Sequence, residues 1–201
     1  MRHWGGNADI GLPAKSLTGL EETMHSDTII DFITGKAVAD IGAEANRQQV
    51  ERFLVKHKGF RVEDIRVSAP ICVDIDGDEY RSFIDLVVVI GETPVIAFKC
   101  AAGSLGSRER EIVSAARLYH ATPLPRAIVS DGTHAIIFDG ATGKKIGEEM
   151  AAIPSRSEAV QLAGEKPQPP LPPERLARVK LVFRSYDSMN VNVDRSHPSK
   201  S

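Results

Sequence analysis

Cysteine is scarce and lacks pattern. Cys72 and Cys100 are the only two in 201 residues, and they have neither the paired spacing of a zinc site nor the density of a disulfide framework. Both sit in apolar, strand-like stretches, where free thiols are expected to be buried. Charge of one sign is also lacking. The 25 Lys and Arg against 27 Asp and Glu leave a net charge of −2, so bulk attraction to nucleic acid is excluded and any such contact has to be local. No apolar run approaches the ~20 residues that cross a bilayer, and residues 1–6 carry no signal-peptide core. The expected setting is cytoplasmic, with no membrane contact. The six histidines show no HxH or HExxH spacing for zinc. The glycine-rich stretch 103–107 lacks the Gly-Lys-Ser/Thr ending of a nucleotide loop.

What is present suits one ordinary core, because 42% of the residues are hydrophobic and the length is that of a single domain. Residues 1–25 show no sustained period and read as an irregular arm. Asp27 to Ile33 reads as a short helix stopped at Gly35. From Ile41 to Lys58 the apolar residues fall at three- and four-residue steps, ending at Gly59, which predicts an amphipathic helix.

Alternation then predicts a strand over Ile65–Ile75, and apolar runs predict two more, Tyr80–Ile90, which ends in the run 84–90, and 95–101, with turns at 76–78 and 91–94. The run 86–90 suits a strand covered on both faces. Ser107 to His120 reads as a second helix, followed by strands at Arg126–Ser130 and Ala135–Phe138. That helix makes a parallel crossover feasible. The expected core domain is therefore 26–150. Prolines across 154–173 predict an extended linker, grouped as 151–173. A final helix over 174–194 would bury Leu176, Val179 and Phe183 or Tyr186, against the core or a protein partner, and 195–201 is a tail.

Asp85 lies inside an apolar strand, where an ionised carboxylate is costly unless it is paired or binds a metal. Lys99 is equally out of place at the end of the next strand. An antiparallel turn at 91–94 would bring the two to the same end of the sheet, as a buried ion pair, as a strand-end Lys reaching solvent, or as part of a site. Glu44 lies near the N-terminus of the first helix, where the dipole favours an acid even without a function. Arg47, Arg52, Lys56 and Lys58 on the first helix, and Arg108, Arg110 and Arg117 on the second, are either solvated surface or phosphate contacts.

Several motifs extend this pattern: Ile29-Ile30-Asp31-Phe32-Ile33-Thr34-Gly35-Lys36, Glu44-Ala45-Asn46-Arg47-Gln48 and Arg81-Ser82-Phe83-Ile84-Asp85. Ala97-Phe98-Lys99-Cys100-Ala101 and Val129-Ser130-Asp131-Gly132 follow. In order and spacing, residues 29–147 resemble the N-terminal nuclease domain of type I restriction enzyme R subunits, within the PD-(D/E)xK superfamily. The resemblance implies a restriction-endonuclease-like α/β fold, a mixed central sheet flanked by helices. It implies a Mg²⁺ site built from Glu44, Asp85 and the Glu of a Glu-x-Lys strand, with Lys99 helping the attacking water. Here that last Glu is replaced by Ala97, which cannot ligate. Glu109, Glu111 and Asp74 are candidate substitute carboxylates. Arg47, Gln48 and Arg108 are candidate phosphate contacts, and the loop 103–107 leads into a helix N-terminus that suits a phosphate. The expectation is a catalytically impaired DNA-binding or protein-interaction module; the alternative is an active Mg²⁺-dependent endonuclease with a migrated carboxylate.

Overall fold

Alternation of covered and exposed positions along Ile65–Ile75 makes this segment a strand, and it pairs antiparallel with the longer strand Asp78–Ile90. These are β3 and β4 of a computed structural model that describes residues 28–189. The expected arm 1–25 and tail 195–201 lie outside the described residues.

The expected helix over 27–33 is not formed. Thr28–Ile30 (β1) instead pairs antiparallel with Ala37–Ala39 (β2). The turn between them is held by the Asp31 carboxylate, which accepts from the amides of Ile33 and Thr34 at 3.1 and 2.6 Å. Asp31 thus caps a tight turn rather than a helix interior.

The first long helix, Glu44–His57 (α1), follows, then β3, β4 and Thr93–Cys100 (β5). A 3-10 turn leads into Glu109–Leu118 (α2), which crosses over to Arg126–Ser130 (β6). Ala135–Asp139 (β7) and Lys145–Glu148 (β8) complete one six-stranded sheet in the order β3-β4-β5-β6-β7-β8. Only β5 and β6 are parallel, as the crossover helix requires; every other pair is antiparallel. The strand β8 was not expected.

The Pro-rich stretch is not wholly extended. Arg156–Gly164 (α3) forms in it, started by a capping box in which the Ser155 hydroxyl accepts from the Glu158 amide and the Glu158 carboxylate accepts from the Ser155 amide. Its signature, Ser-x-x-Glu, is legible in the sequence and outweighs the surrounding prolines. Irregular chain is left over 165–172 before Pro173–Ser188 (α4).

Apolar residues divide between the two faces of the sheet. Val50 and Leu54 of α1 and Ala159 and Leu162 of α3 pack with Leu86, Val88, Ile96 and Phe98 on one side. Ile112, Ala115 and Ala116 of α2 and Phe183 of α4 pack with Val87, Ala97 and Val129 on the other. The result is a three-layer mixed α/β fold with a C-terminal helix docked on it.

One of the two cysteines departs from expectation. Cys100 is buried, but Cys72 is exposed and donates to Glu79 Oε1 at 2.8 Å. Cys72 falls on the outward phase of β3, so the period of two, not the apolar character of its neighbours, sets its exposure.

Candidate active site

The strand β4 changes partners halfway along. Leu86–Val88 pair with both β3 and β5, and Val89 and Ile90 with β5 alone, whereas Asp78–Ile84 pair with β3 alone and Asp85 with neither. At the divergence β5 continues alongside β6, with Cys100 opposite Ser130. The Asp85 carboxylate takes the place of the missing ladder rung: its Oδ2 accepts from the Cys100 amide at 2.7 Å.

Opposite this point Ser68 has φ +49°, in the left-handed region, and is skipped in the β3–β4 ladder. Before it Ile65 packs in the α1 layer; after it Ala69, Ile71 and Val73 pack in the α2 layer. Leu86 and Ile84 make the same exchange across Asp85. The ribbon therefore turns over at Ser68 and Asp85, and the parted strands open a cleft of about 580 Å³ there. A non-glycine residue at positive φ costs on the order of 1 kcal/mol or more and persists only where its surroundings enforce it.

Asp85, Lys99 and Glu44 all line this cleft, as do Arg47, Arg108 and the loop 103–107 in part. Lys99 Nζ lies 3.3 Å from Asp85 Oδ1 and 3.1 Å from Glu111 Oε1. Burial pulls the Lys99 pKa down, but the charges of Asp85 and Glu111 outweigh it and hold the ammonium above its usual range. Glu111 comes from the first turn of α2, faces the sheet and also meets Arg108 at 3.5 Å. Of the three candidate substitutes, then, Glu111 reaches the Asp85–Lys99 pair. Glu109 lines a different groove, and Asp74 is opposite Glu79 towards the far end of the β3–β4 hairpin.

Ala97 lies on the α2-facing side of β5, completely buried in the apolar cluster that contains Ala101, Ile112, Ala115 and Ala116. The position at which the resemblance implies a ligand is thus sealed by packing.

Glu44 approaches from the start of α1, but its carboxylate is engaged by that helix. Arg47 Nε donates to Oε2 at 3.0 Å, Arg47 also donates to Oε1, and Gln48 Nε2 donates to Oε1 at 3.2 Å. Arg47 continues to Asp31 Oδ2 at 2.6 Å and to Glu51. Burial opposes the Arg47 charge, and the three carboxylates overcome it, so its pKa lies above the ordinary arginine range. Gln48 is buried and its Oε1 accepts from Arg52. These contacts leave neither Arg47 nor Gln48 open towards the cleft; Arg108, about a third exposed, meets Glu111 at 3.5 Å.

The site is held in register by α1. Asn46 Nδ2 donates to the Ala101 carbonyl at 2.6 Å, pinning the helix to the end of β5. The β6–β7 turn closes against the same helix at Gly132, with φ +90°. A Cβ there would lie 2.5 Å from Gln49 Oε1 and 3.1 Å from the Asn46 carbonyl. That contact gives a physical reason for the Asp131-Gly132 pair beyond the turn itself.

A six-stranded mixed sheet flanked by helices, with Asp85, Lys99 and Glu44 lining the cleft where it splays open, is a restriction-endonuclease-like fold. Residues 42–154 match the family described as Type I restriction enzyme R protein N terminus (HSDR_N). That is more than half of the chain, which belongs to this family and is related through it to the nuclease-fold R subunits. No curated protein and no solved structure is matched.

Asp31 and Ser68 were not anticipated as parts of the site. Asp31 was legible only inside a motif with no role attached, and the conformation of Ser68 has no signal in a run of alternating residues.

Proposed function

We propose that this chain is a catalytically impaired nuclease-fold module that binds DNA, or a protein partner, without cleaving. One observation carries the reading: the acids around the cleft are already neutralised by this chain's own cations. Asp85 is met by Lys99 and the Cys100 amide, Glu111 by Lys99 and Arg108, and Glu44 by Arg47 and Gln48. Among the described residues no three His, Cys, Asp or Glu side chains group as metal ligands. Mg²⁺ is usually held by one or two carboxylates together with waters and phosphate oxygens; with Ala97 in place of one carboxylate and Asp85, Glu111 and Glu44 each engaged by a cation of this chain, the donors present do not fit it. The cleft would instead take a phosphate through Arg108 and the loop 103–107. No described helix is long and apolar enough to cross a membrane, in keeping with a cytoplasmic role.

The test is incubation of the full chain with linear, nicked and single-stranded DNA and Mg²⁺ or Mn²⁺. No cleavage is expected, while fluorescence anisotropy should show DNA binding that Arg108→Gln weakens. Metal-dependent cleavage abolished by Asp85→Ala would overturn the reading. It would support an active endonuclease in which Glu111, 3.1 Å from Lys99, is the migrated carboxylate. Glu111→Gln would then abolish cleavage, and Glu109→Gln or Asp74→Asn would spare it.

A further inference from the structure

A second groove lies between α2 and α4, under the turn that joins β7 to β8, with a volume of about 390 Å³. Arg110 and Arg117 line it from α2, and Arg175 and Arg178 from α4. The spacing explains the convergence: seven residues on α2 and three on α4 keep each pair on one helix face. Glu109 is the single acid among the lining residues, four cationic side chains against one anionic.

Several arginines elsewhere in the fold have acidic partners: Arg61 with Glu63, Arg81 with Glu79, Arg126 with Asp139 and Arg156 with Asp64. Among the described ion pairs none involves the four arginines of the groove. Arg117 donates to the carbonyls of Gly140 and Ala141 at 3.1 and 2.9 Å, and Arg175 donates to the same Ala141 carbonyl at 3.2 Å. Neutral acceptors therefore hold two guanidiniums side by side without cancelling their charge. Burial lowers the Arg117 pKa and the neighbouring charge of Arg175 adds to the fall.

The turn is shaped to permit this. Gly143 has φ +74°, and a Cβ there would lie 3.0 Å from the Arg117 guanidinium and 3.2 Å from Val113. The nearby Asp139 acts on Arg117 through its charge, which opposes the fall, but forms no ion pair with it: Oδ1 accepts from the amide and hydroxyl of Thr142 and Oδ2 lies towards Arg126. Beneath the cations the lining is apolar, through Val113, Phe138 and Val179.

We propose that this groove is an anion site for a phosphate-bearing ligand, separate from the Asp85 cleft. Guanidinium forks match phosphate oxygens in planar, paired hydrogen bonds, which makes several converging arginines a phosphate site in preference to a site for a simple halide. The phosphate can belong to a free nucleotide or to a nucleic-acid strand. The apolar floor accepts the sugar or base beside it in either case, and the volume lies in the range of small-ligand pockets.

Calorimetry on the full chain tests this with inorganic pyrophosphate, ADP, a short 5′-phosphorylated duplex and a glutamate-rich peptide. Pyrophosphate and ADP should bind, and the exposed pair Arg175→Gln/Arg178→Gln should weaken them at least tenfold at an unchanged melting temperature. Arg110→Gln, on the other helix, should weaken them independently, and Arg108→Gln, in the cleft, should leave them as they are. Duplex binding alone, lost in the Arg175/Arg178 variant, supports the site with nucleic acid as the source. Three results would overturn it: no phosphate ligand bound, binding indifferent to the three groove arginines, or a peptide that binds there where phosphates do not.

Discussion

Arg47 and Glu51 show how much chemistry one helical turn can hold. Arg47 sits among three carboxylates, of which Asp31 and Glu51 are almost wholly buried. Burial pushes the Glu51 pKa up to about 7; Arg47 pulls against the rise, while Asp31 and Glu44 add to it. The second Glu51 oxygen is buried with no partner, an environment suited to a protonated carboxyl. Because this pKa is raised on folding, the folded state takes up a proton. The stabilisation is fully present below the ordinary value of 4.5 and is lost as the pH rises through about 7. Asp31 and Asp64, whose pKa values are lowered, have the opposite sign and act only at more acid pH. Between pH 5 and 8 the wild-type urea midpoint should therefore fall, and Glu51→Gln should flatten the decline by on the order of 2 kcal/mol. Parallel profiles for the two proteins would remove Glu51 as the titrating group.

At the scale of elements, the splay between β4 and β5 makes the cleft and α4 covers the part of β3–β4 that leaves the sheet. Val179 and Phe183, one turn apart, are the buried face of α4, and the Phe183 ring meets Tyr80 edge-on at 6.0 Å between centroids. The Tyr80 hydroxyl donates to Asp187 Oδ2 at 2.5 Å, closing the last turn of the helix onto the strand. Without this cover Ile71, Val73 and Ile75 would lose much of their packing, so α4 belongs to the core rather than to a detached tail. Phe183→Ala should cost about 3–5 kcal/mol by chemical denaturation, as expected when a buried aromatic leaves a cavity. A loss below 1 kcal/mol would mean that α4 docks loosely.

At the scale of the whole molecule the near balance of charge, −2 overall, makes local geometry decisive for any anionic partner. DNA binding through Arg108 and a few neighbours releases few counterions. The slope of log K against log salt should lie near −1 to −3, at about 0.9 per phosphate neutralised. A slope steeper than about −6 would point to phosphate contacts well beyond Arg108 and its neighbours. Much of the architecture was legible by itself. The strand Ile65–Ile75 followed from alternation, the strands around Asp85 and Lys99 from apolar runs, α1 and α2 from helical periodicity, and the pairing of Asp85 with Lys99 from one turn length. These are short-range consequences of period and turn chemistry, which the chain carries locally. Local pattern misled where a neighbour in space decided: Asp31 closes a hairpin because Arg47 anchors it, and α3 forms where its capping box and its contacts with the sheet outweigh the prolines. The tertiary structure alone selected Glu111 over Glu109 and Asp74, buried Gln48, tied up Arg47, turned the ribbon over at Ser68 and gathered four arginines between α2 and α4. Each of these depends on which side chains meet across distant segments, and the free energy of such a meeting is set by burial and by the charge of the partner, neither of which exists until the chain is folded.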